Sequence, residues 1–190
     1  MVGISLGWNC HSANRGVTLG LRALKKDGYN TCPFDEAITN YPGIVDCIRS
    51  DFADFFSVTL KETSSDAAYY KGDMLIYNPR YRFLFNHESP GHANLWSIEE
   101  WPGGLNHFVD NNYEAFITRY QNRIENFRAY LRSGEPVVFL ITHPDPNFEF
   151  KELKEALGEA YPDLNYRIER FDIHPDMAHY EGHMKLMFAE

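Results

Sequence analysis

The sequence has few cysteines, no long apolar run and no signal for export. Its cysteines are Cys10, Cys32 and Cys47, which form neither a CxxC pair nor a regular framework, and this usage suits a reducing compartment. No apolar run approaches the roughly 18 residues that span a bilayer, and the N-terminus lacks the basic and apolar regions of a signal peptide. We therefore expect a cytoplasmic protein without a membrane partner.

Positive charge is also scarce, with 18 Lys and Arg residues against 27 Asp and Glu residues and a formal net charge of -9. Proteins that bind nucleic acids usually concentrate Lys and Arg to neutralise phosphates, so we expect no nucleic-acid partner. The chain lacks a GxGxxG fingerprint and a Walker-type GK[ST] motif. These absences argue against a bound dinucleotide or nucleotide, and we expect no cofactor.

The composition is that of an ordinary globular protein, with 44% hydrophobic and 24% charged residues among 190. This length allows one domain with a proper hydrophobic core, so we expect residues 1–190 to form a single domain. The chain contains no internal repeat and no low-complexity segment.

Segments with strand and helix patterns alternate along the chain. The patterns predict strands at 2–6, 136–141, 166–168 and 184–188, and either a hairpin or two edge strands at 74–77 and 81–85. They predict helices at about 10–26, 42–50, 111–133 and 148–160, with Asn111 or Asn112 as the cap of the third helix. This order favours an α/β fold, a three-layer sandwich with a mainly parallel central sheet. The apolar strand 136–141 should lie beside the first strand, and sites in such sheets form beyond the carboxyl ends of the strands.

The best chemical lead is Cys10, which follows the first strand and a turn at Gly7 and opens a helical pattern. Unpaired backbone N–H groups and the helix dipole favour an anion at this position, so we expect a thiol biased toward thiolate, the nucleophilic form. Trp8 would line the cleft, and Asn9 would join the free N–H groups in an oxyanion site. Cys10 is the candidate nucleophile.

A thiol nucleophile needs a histidine within hydrogen-bond reach. His107 is one candidate because it ends a loop rich in tryptophan and glycine just before the longest predicted helix. His143 is the alternative, since it directly follows the apolar strand and would emerge at the same sheet edge as Cys10. For His11, His87 and His92 an exposed or capping role is the default expectation.

A carboxylate or amide must hold the imidazole in one tautomer. Asp35, in the segment Pro33-Phe34-Asp35, is the first choice, with Asp110 and Asp145 as alternatives. Cys32 and Cys47 are expected to be packing residues.

A metal site is the rival chemistry, because Asp172, His174, His179 and His183 form a carboxylate and histidine group near the end of the sequence. The last two histidines have the i, i+4 spacing that places two imidazoles on one helix face. However, Gly182 weakens that helix and no HExxH glutamate accompanies the pair. A solvated histidine-rich tail is the favoured interpretation, so we expect no bound metal.

Four segments together resemble a bacterial domain-of-unknown-function family that carries the label papain-like cysteine peptidase. They are Ile4-Ser5-Leu6-Gly7-x-Asn9-Cys10-x-x-Ala13, Pro33-Phe34-Asp35, Asn106-His107-Phe108 and Arg119-Tyr120-x-x-Arg123-Ile124. The resemblance covers most of the chain. It implies a Cys-His pair of hydrolase type and, as an alternative fold, a papain-like α+β domain. The family pattern usually has an aromatic residue where this chain has Glu36, and an acidic residue where it has Phe108.

We therefore predict a cysteine-dependent hydrolase or acyl transferase that acts on a small-molecule or peptide substrate. Cys10 attacks a carbonyl, His107 acts as base and then as acid, and Asp35 orients the imidazole. The alternative is a non-catalytic module that binds a small ligand or a polysaccharide through an aromatic cleft at Trp96 and Trp101.

Overall fold

A computed structural model describes residues 1–62, 74–90 and 101–173. The helices and strands are, in chain order, β1 (Val2–Ser5), α1 (Cys10–Thr18), α2 (Tyr41–Arg49), β2 (Thr59–Glu62), β3 (Met74–Asn78), β4 (Phe83–Phe85), α3 (Asp110–Arg132), β5 (Val137–Thr142), α4 (Lys151–Ala160) and β6 (Tyr166–Phe171). The fold is mixed α/β. The predicted strand at 184–188 lies outside the described residues. In the part of the chain that the structure describes, no helix is both long enough and apolar enough to cross a bilayer.

A parallel sheet has the strand order β1-β5-β6. β5 lies in the middle, all its residues are buried, and Val2 pairs with Val137 while Ser5 pairs with Leu140. The prediction that this apolar strand lies beside the first one is therefore confirmed. Because β1 and β5 are parallel, the turn after β1 and the residues after β5 emerge at the same edge.

A second, antiparallel sheet contains β2, β3 and β4. Ile76 of β3 pairs with Phe85 of β4, which confirms the predicted hairpin. These strands are joined by a short turn and pair locally instead of joining the parallel sheet. Parallel and antiparallel pairing therefore occur in separate sheets, and the predicted three-layer arrangement stays a prediction.

An aromatic core surrounds α3, the longest helix of the described residues. Phe116, Tyr120 and Phe127 of this helix are fully buried. The ring of Phe34 packs edge-on against Phe127 with centroids 5.8 Å apart. This packing fixes the Pro-Phe-Asp segment against α3, which becomes important for the site below.

Two predicted helix ends are wrong, each for a local backbone reason. The first helix ends at Thr18 instead of Lys26, since Gly20 has a φ of +67°. At the start of α3, Asn111 and Asn112 have φ values of 52° and 55°, so they form a left-handed turn and do not cap the helix. Short polar side chains tolerate this conformation better than most, and sequence periodicity does not detect it.

Candidate active site

The turn after β1 has an unusual backbone at Gly7 and Trp8, with φ values of 85° and 75°. This region suits glycine but costs a tryptophan about 1–2 kcal/mol. Thr39 holds the turn: its Oγ1 accepts a hydrogen bond from Trp8 N at 2.7 Å, and its N donates to Trp8 O at 3.1 Å. A Cβ on Gly7 would lie 2.2 Å from the same Thr39 oxygen, so the close approach requires glycine.

Cys10 is the first residue of α1, as the strand-turn-helix pattern predicts, and it is half-buried. Asn9 caps the helix, because its Oδ1 accepts a hydrogen bond from His11 N at 2.7 Å. Among the described residues, Asn9 Nδ2 has no hydrogen-bond partner. The turn thus presents a thiol beside an amide donor at the positive end of a helix.

The protonation of Cys10 differs from the expectation. Burial raises the pKa of the Cys10 thiol, a hydrogen bond from its own backbone amide lowers it, and the nearby Glu36 carboxylate raises it again, so the pKa lies above its ordinary value. The predicted bias toward thiolate is wrong for this state, because desolvation outweighs the helix N-terminus. Any reaction of Cys10 as a nucleophile then requires a base.

Ser12 and His11 join α1 to the end of β5. Ser12 Oγ donates to Gly7 O at 2.9 Å and lies 2.8 Å from Thr142 Oγ1. His11 Nδ1 lies 3.1 Å from the same threonine oxygen. These contacts give His11 a structural role at the sheet edge.

Asp35 is fully buried and forms a bidentate ion pair with Arg22, whose Nη1 and Nη2 donate to Oδ1 and Oδ2 at 2.9 and 3.1 Å. Its Oδ2 also accepts a hydrogen bond from Cys32 N at 2.7 Å, and Tyr29 lies within 3.4 Å. Burial raises the pKa of Asp35 to about 6, although Arg22 and the Cys32 amide oppose the shift. Since these groups occupy the carboxylate, the structure does not bring Asp35 to His107, and its predicted orienting role stays a prediction.

His107 follows a short 3-10 turn and packs against aromatic rings, with its centroid 4.7 Å from that of Phe108 and 6.4 Å from that of Trp101. It lines an open cleft of about 1180 Å³ along α3, together with Arg123. Cys10 does not line this cleft, and no contact between His107 and Cys10 occurs among the described residues. The predicted pairing of Cys10 with His107 therefore stays a prediction.

His143 emerges from β5 at the expected sheet edge. Its ring stacks on Phe148 with centroids 3.9 Å apart and meets the edge of Tyr41. Its Nδ1 accepts a hydrogen bond from Asp145 N at 3.2 Å. This nitrogen is occupied, so only Nε2 of His143 is available for other chemistry.

Glu36 acts on Cys10 electrostatically, and the sequence interpretation did not include it in the candidate site. Its side chain is 38% exposed, whereas that of the preceding Asp35 is fully buried, and its Oε2 lies 2.6 Å from Arg123 Nη2. Burial raises the pKa of Glu36, but Arg123, His87 and Arg119 together outweigh it, so this pKa lies below its ordinary value. Glu36 is therefore ionised at neutral pH, and its charge acts on Cys10.

His87 was also missed, because an exposed or capping role was its default expectation. The residue is half-buried and lies in a short 3-10 helix, Asn86–Glu88, directly after β4. Cys10 and His87 both interact electrostatically with the Glu36 carboxylate. The available signal was a histidine two residues after an apolar strand and beside an acidic residue, Glu88.

Glu88 anchors the segment that carries His87 to α3. Its side chain is 1% exposed, Arg119 Nε and Arg123 Nη1 lie 3.2 and 3.3 Å from its Oε1, and Tyr120 donates to its Oε2 at 3.1 Å. Glu36 Oε2 accepts a hydrogen bond from the other terminal nitrogen of Arg123, Nη2. The two arginines thus position both the Glu36 carboxylate and the turn that carries His87.

The sequence model of one protein family, described as "Putative papain-like cysteine peptidase (DUF1796)", matches residues 1–174. The chain belongs to this family. Among curated proteins and solved structures, no match to the chain is found. The matched range contains every described residue of the candidate site.

The papain-like peptidase family label is compatible with the parallel sheet, the antiparallel sheet and an accessible cysteine at a helix start. In this family member, the site combines a protonated thiol, a neighbouring carboxylate and a half-buried imidazole. With a base to remove the thiol proton and N–H groups to stabilise an oxyanion, such a set can carry out acyl transfer.

Some predicted features are not described. Trp96, His92, His174, His179 and His183 lie outside the described residues. Within the ranges that the structure describes, no group of three or more His, Cys, Asp or Glu side chains is placed to hold a metal ion.

Proposed function

We propose that this family member is a cysteine-dependent hydrolase or acyl transferase with Cys10 as its nucleophile. The observation that carries the proposal is the position of Cys10 at the first residue of α1, directly after the strained turn at Gly7 and Trp8. Non-glycine residues persist in such backbone conformations only where the surrounding structure holds them, and they cluster at functional sites.

His87 is the base in this proposal, because His87 and Cys10 both interact electrostatically with Glu36. In this scheme His87 takes the Cys10 proton, and the thiolate attacks the substrate carbonyl carbon. The oxyanion is stabilised at the start of α1 by Asn9 and backbone N–H groups. The imidazolium then protonates the leaving group, and water or another nucleophile removes the acyl group from the sulfur.

Glu36 would stabilise the charged form of His87 electrostatically in this scheme, whereas the sequence interpretation assigned the base to His107 and the orienting carboxylate to Asp35. The two assignments differ in a measurable way. His87 shares an electrostatic partner with Cys10, and His107 shares a cleft with Arg123, which binds Glu36.

Hydrolysis of p-nitrophenyl esters by single variants tests both parts of the proposal. Cys10→Ala should abolish turnover, and His87→Ala should lower kcat by about a hundredfold, the typical contribution of a general base. His107→Ala should change kcat by less than about threefold. Turnover that survives in Cys10→Ala contradicts the proposal, and a loss confined to His107→Ala restores the first assignment.

A binding module is the second candidate, and the cleft along α3 favours it. Trp101 and His107 supply aromatic rings, and Asn122 and Asn126 supply amides suited to a small polar ligand or a polysaccharide. Ligand binding that persists undiminished in Cys10→Ser, without any esterase activity in the native protein, would support this function.

We also retain the other expectations as part of the proposal: a single domain over residues 1–190 with a three-layer arrangement, a cytoplasmic location, and a small-molecule or peptide substrate without a nucleic-acid partner. The net charge of -9 supports the last point.

A further inference from the structure

Glu36 lies beside the turn that presents the nucleophile. Phe34 O would be 3.1 Å from a Cβ placed on Gly7, and Thr39 exchanges hydrogen bonds with Trp8. Residues 34–39 therefore lie alongside the turn at Gly7 and Trp8, and Glu36 belongs to this segment. The backbone that carries Glu36 is therefore fixed against the turn that precedes Cys10, and the Glu36 carboxylate acts electrostatically on the Cys10 thiol.

The Glu36 carboxylate is open on one side. Arg123 holds Oε2, and within the described residues Oε1 accepts no hydrogen bond. Arg123 is also shared, because its Nη1 lies 3.3 Å from the buried Glu88. Among the described residues, the charges of Arg119 and Arg123 are balanced by those of Glu36 and Glu88, and His87 is the remaining group that lowers the pKa of Glu36.

The Glu36 carboxylate contributes a negative field at the Cys10 sulfur, and the Cys10 backbone amide opposes it. Glu36 raises the pKa of the thiol, and no lysine or arginine of the described chain acts on Cys10 in the opposite direction. A cationic group brought next to the sulfur is attracted by this field, and an anionic group is repelled.

We propose that Glu36 makes the Cys10 site selective for substrates with an ammonium or guanidinium group close to the carbonyl under attack. The open Oε1 accepts the N–H bonds of such a group, while Oε2 keeps its contact with Arg123. The substrate selectivity in catalysis rests on the proposed function, whereas the preference of Cys10 for cationic over anionic reagents can be measured without any substrate turnover.

Two charged methanethiosulfonate reagents measure this preference directly, one with a trimethylammonium group and one with a sulfonate. The Cys10 thiolate attacks the sulfenyl sulfur of either reagent, a mixed disulfide forms and methanesulfinate leaves. Cys32 and Cys47 are fully buried, so the reaction of the folded protein reports on Cys10. The ratio of the two rates cancels the thiolate fraction and leaves the electrostatic preference.

We expect the cation-to-anion rate ratio to fall about tenfold in Glu36→Gln relative to the native protein. The rate with the cationic reagent should fall and the rate with the anionic reagent should rise. Glu159→Gln on α4 removes an equal charge at an exposed position, and its ratio should stay within about twofold. An unchanged ratio in folded Glu36→Gln overturns the inference.

A salt titration of the native protein provides a second measurement that needs no variant. The rate ratio should fall as the salt concentration rises from about 0.01 M to 1 M, because the screening length shortens from about 30 Å to 3 Å. A ratio near one at all salt concentrations contradicts the inference. If the ratio behaves as expected but no ester is cleaved, the proposed function fails while the charge preference stands; the opposite pattern refutes only the charge preference.

Discussion

Replacing Asp35 with alanine separates a structural role from a catalytic one. The substitution leaves the guanidinium of Arg22, whose side chain is only 11% exposed, without its partner. Arg22 Nε is already buried without a hydrogen-bond partner among the described residues. The Cys32 amide also loses its acceptor. We therefore expect a large loss of stability from a single side chain.

The magnitude follows from the burial of the pair. Breaking a buried ion pair by removing one partner costs about 3–5 kcal/mol, because the remaining charge is uncompensated. For a chain of 190 residues this corresponds to a fall in Tm of about 10 °C. The pKa of Asp35, raised to about 6, indicates that desolvation outweighs the attraction to Arg22. The double variant Asp35→Ala with Arg22→Met should therefore recover most of the loss.

Urea unfolding of the two single variants and the double variant measures these free energies. Asp51→Asn is the matched control, since its pair with Arg128 lies at the surface with the carboxylate 67% exposed, and it should cost less than about 1 kcal/mol. The rate of Cys10 alkylation in folded Asp35→Ala should equal that of the native protein. A destabilisation no greater than that of Asp51→Asn, or a large loss of Cys10 reactivity in folded protein, would refute the reasoning.

Two further predictions concern the thiol and the helix contacts. The rate of Cys10 alkylation by iodoacetamide should rise with pH, with a midpoint above the ordinary thiol pKa. This midpoint should move to lower pH in Glu36→Gln, because a negative charge is removed. A rate that already reaches its plateau below a pH of about 7 would indicate a thiolate and contradict the account. Gly16→Ala should lower the free energy of unfolding by about 1–3 kcal/mol, measured in urea, since its Cβ would lie 2.2 Å from Leu140 Cδ1. The control Gly158→Ala meets nothing within 4 Å and should raise the free energy of unfolding by about 0.5–1 kcal/mol. Equal effects of the two substitutions would contradict the packing of α1 on β5.

Periodicity in the sequence was sufficient for much of the fold. The buried strand β5, the hairpin of β3 and β4, and the helices α2, α3 and α4 all follow from apolar patterns of period two or 3.6. The close packing of α1 on β5 at Gly16, where a Cβ would lie 2.2 Å from Leu140 Cδ1, is a detail that the structure adds. Positive φ values at residues 111–113 and Gly20 escaped detection, because they depend on backbone conformation and not on apolar spacing.

The site was harder to predict, since it depends on which of two adjacent side chains points inward. Asp35 and Glu36 are neighbours, but the first binds Arg22 in the interior and the second lies near Cys10. No pattern in a single sequence distinguishes these directions. For the same reason, the sequence could not choose among eight histidines, and the proposal of His87 is supported by the electrostatic partner that it shares with Cys10.

The central claim, that Cys10 is an acyl-accepting nucleophile, is tested most directly by mass spectrometry of the protein during a reaction with an activated ester. The account predicts one covalent acyl group per chain, located on the peptide that contains Cys10, which decays as free acid appears and is absent from Cys10→Ala. Product release without this adduct, or an adduct that persists in Cys10→Ala, would contradict the account.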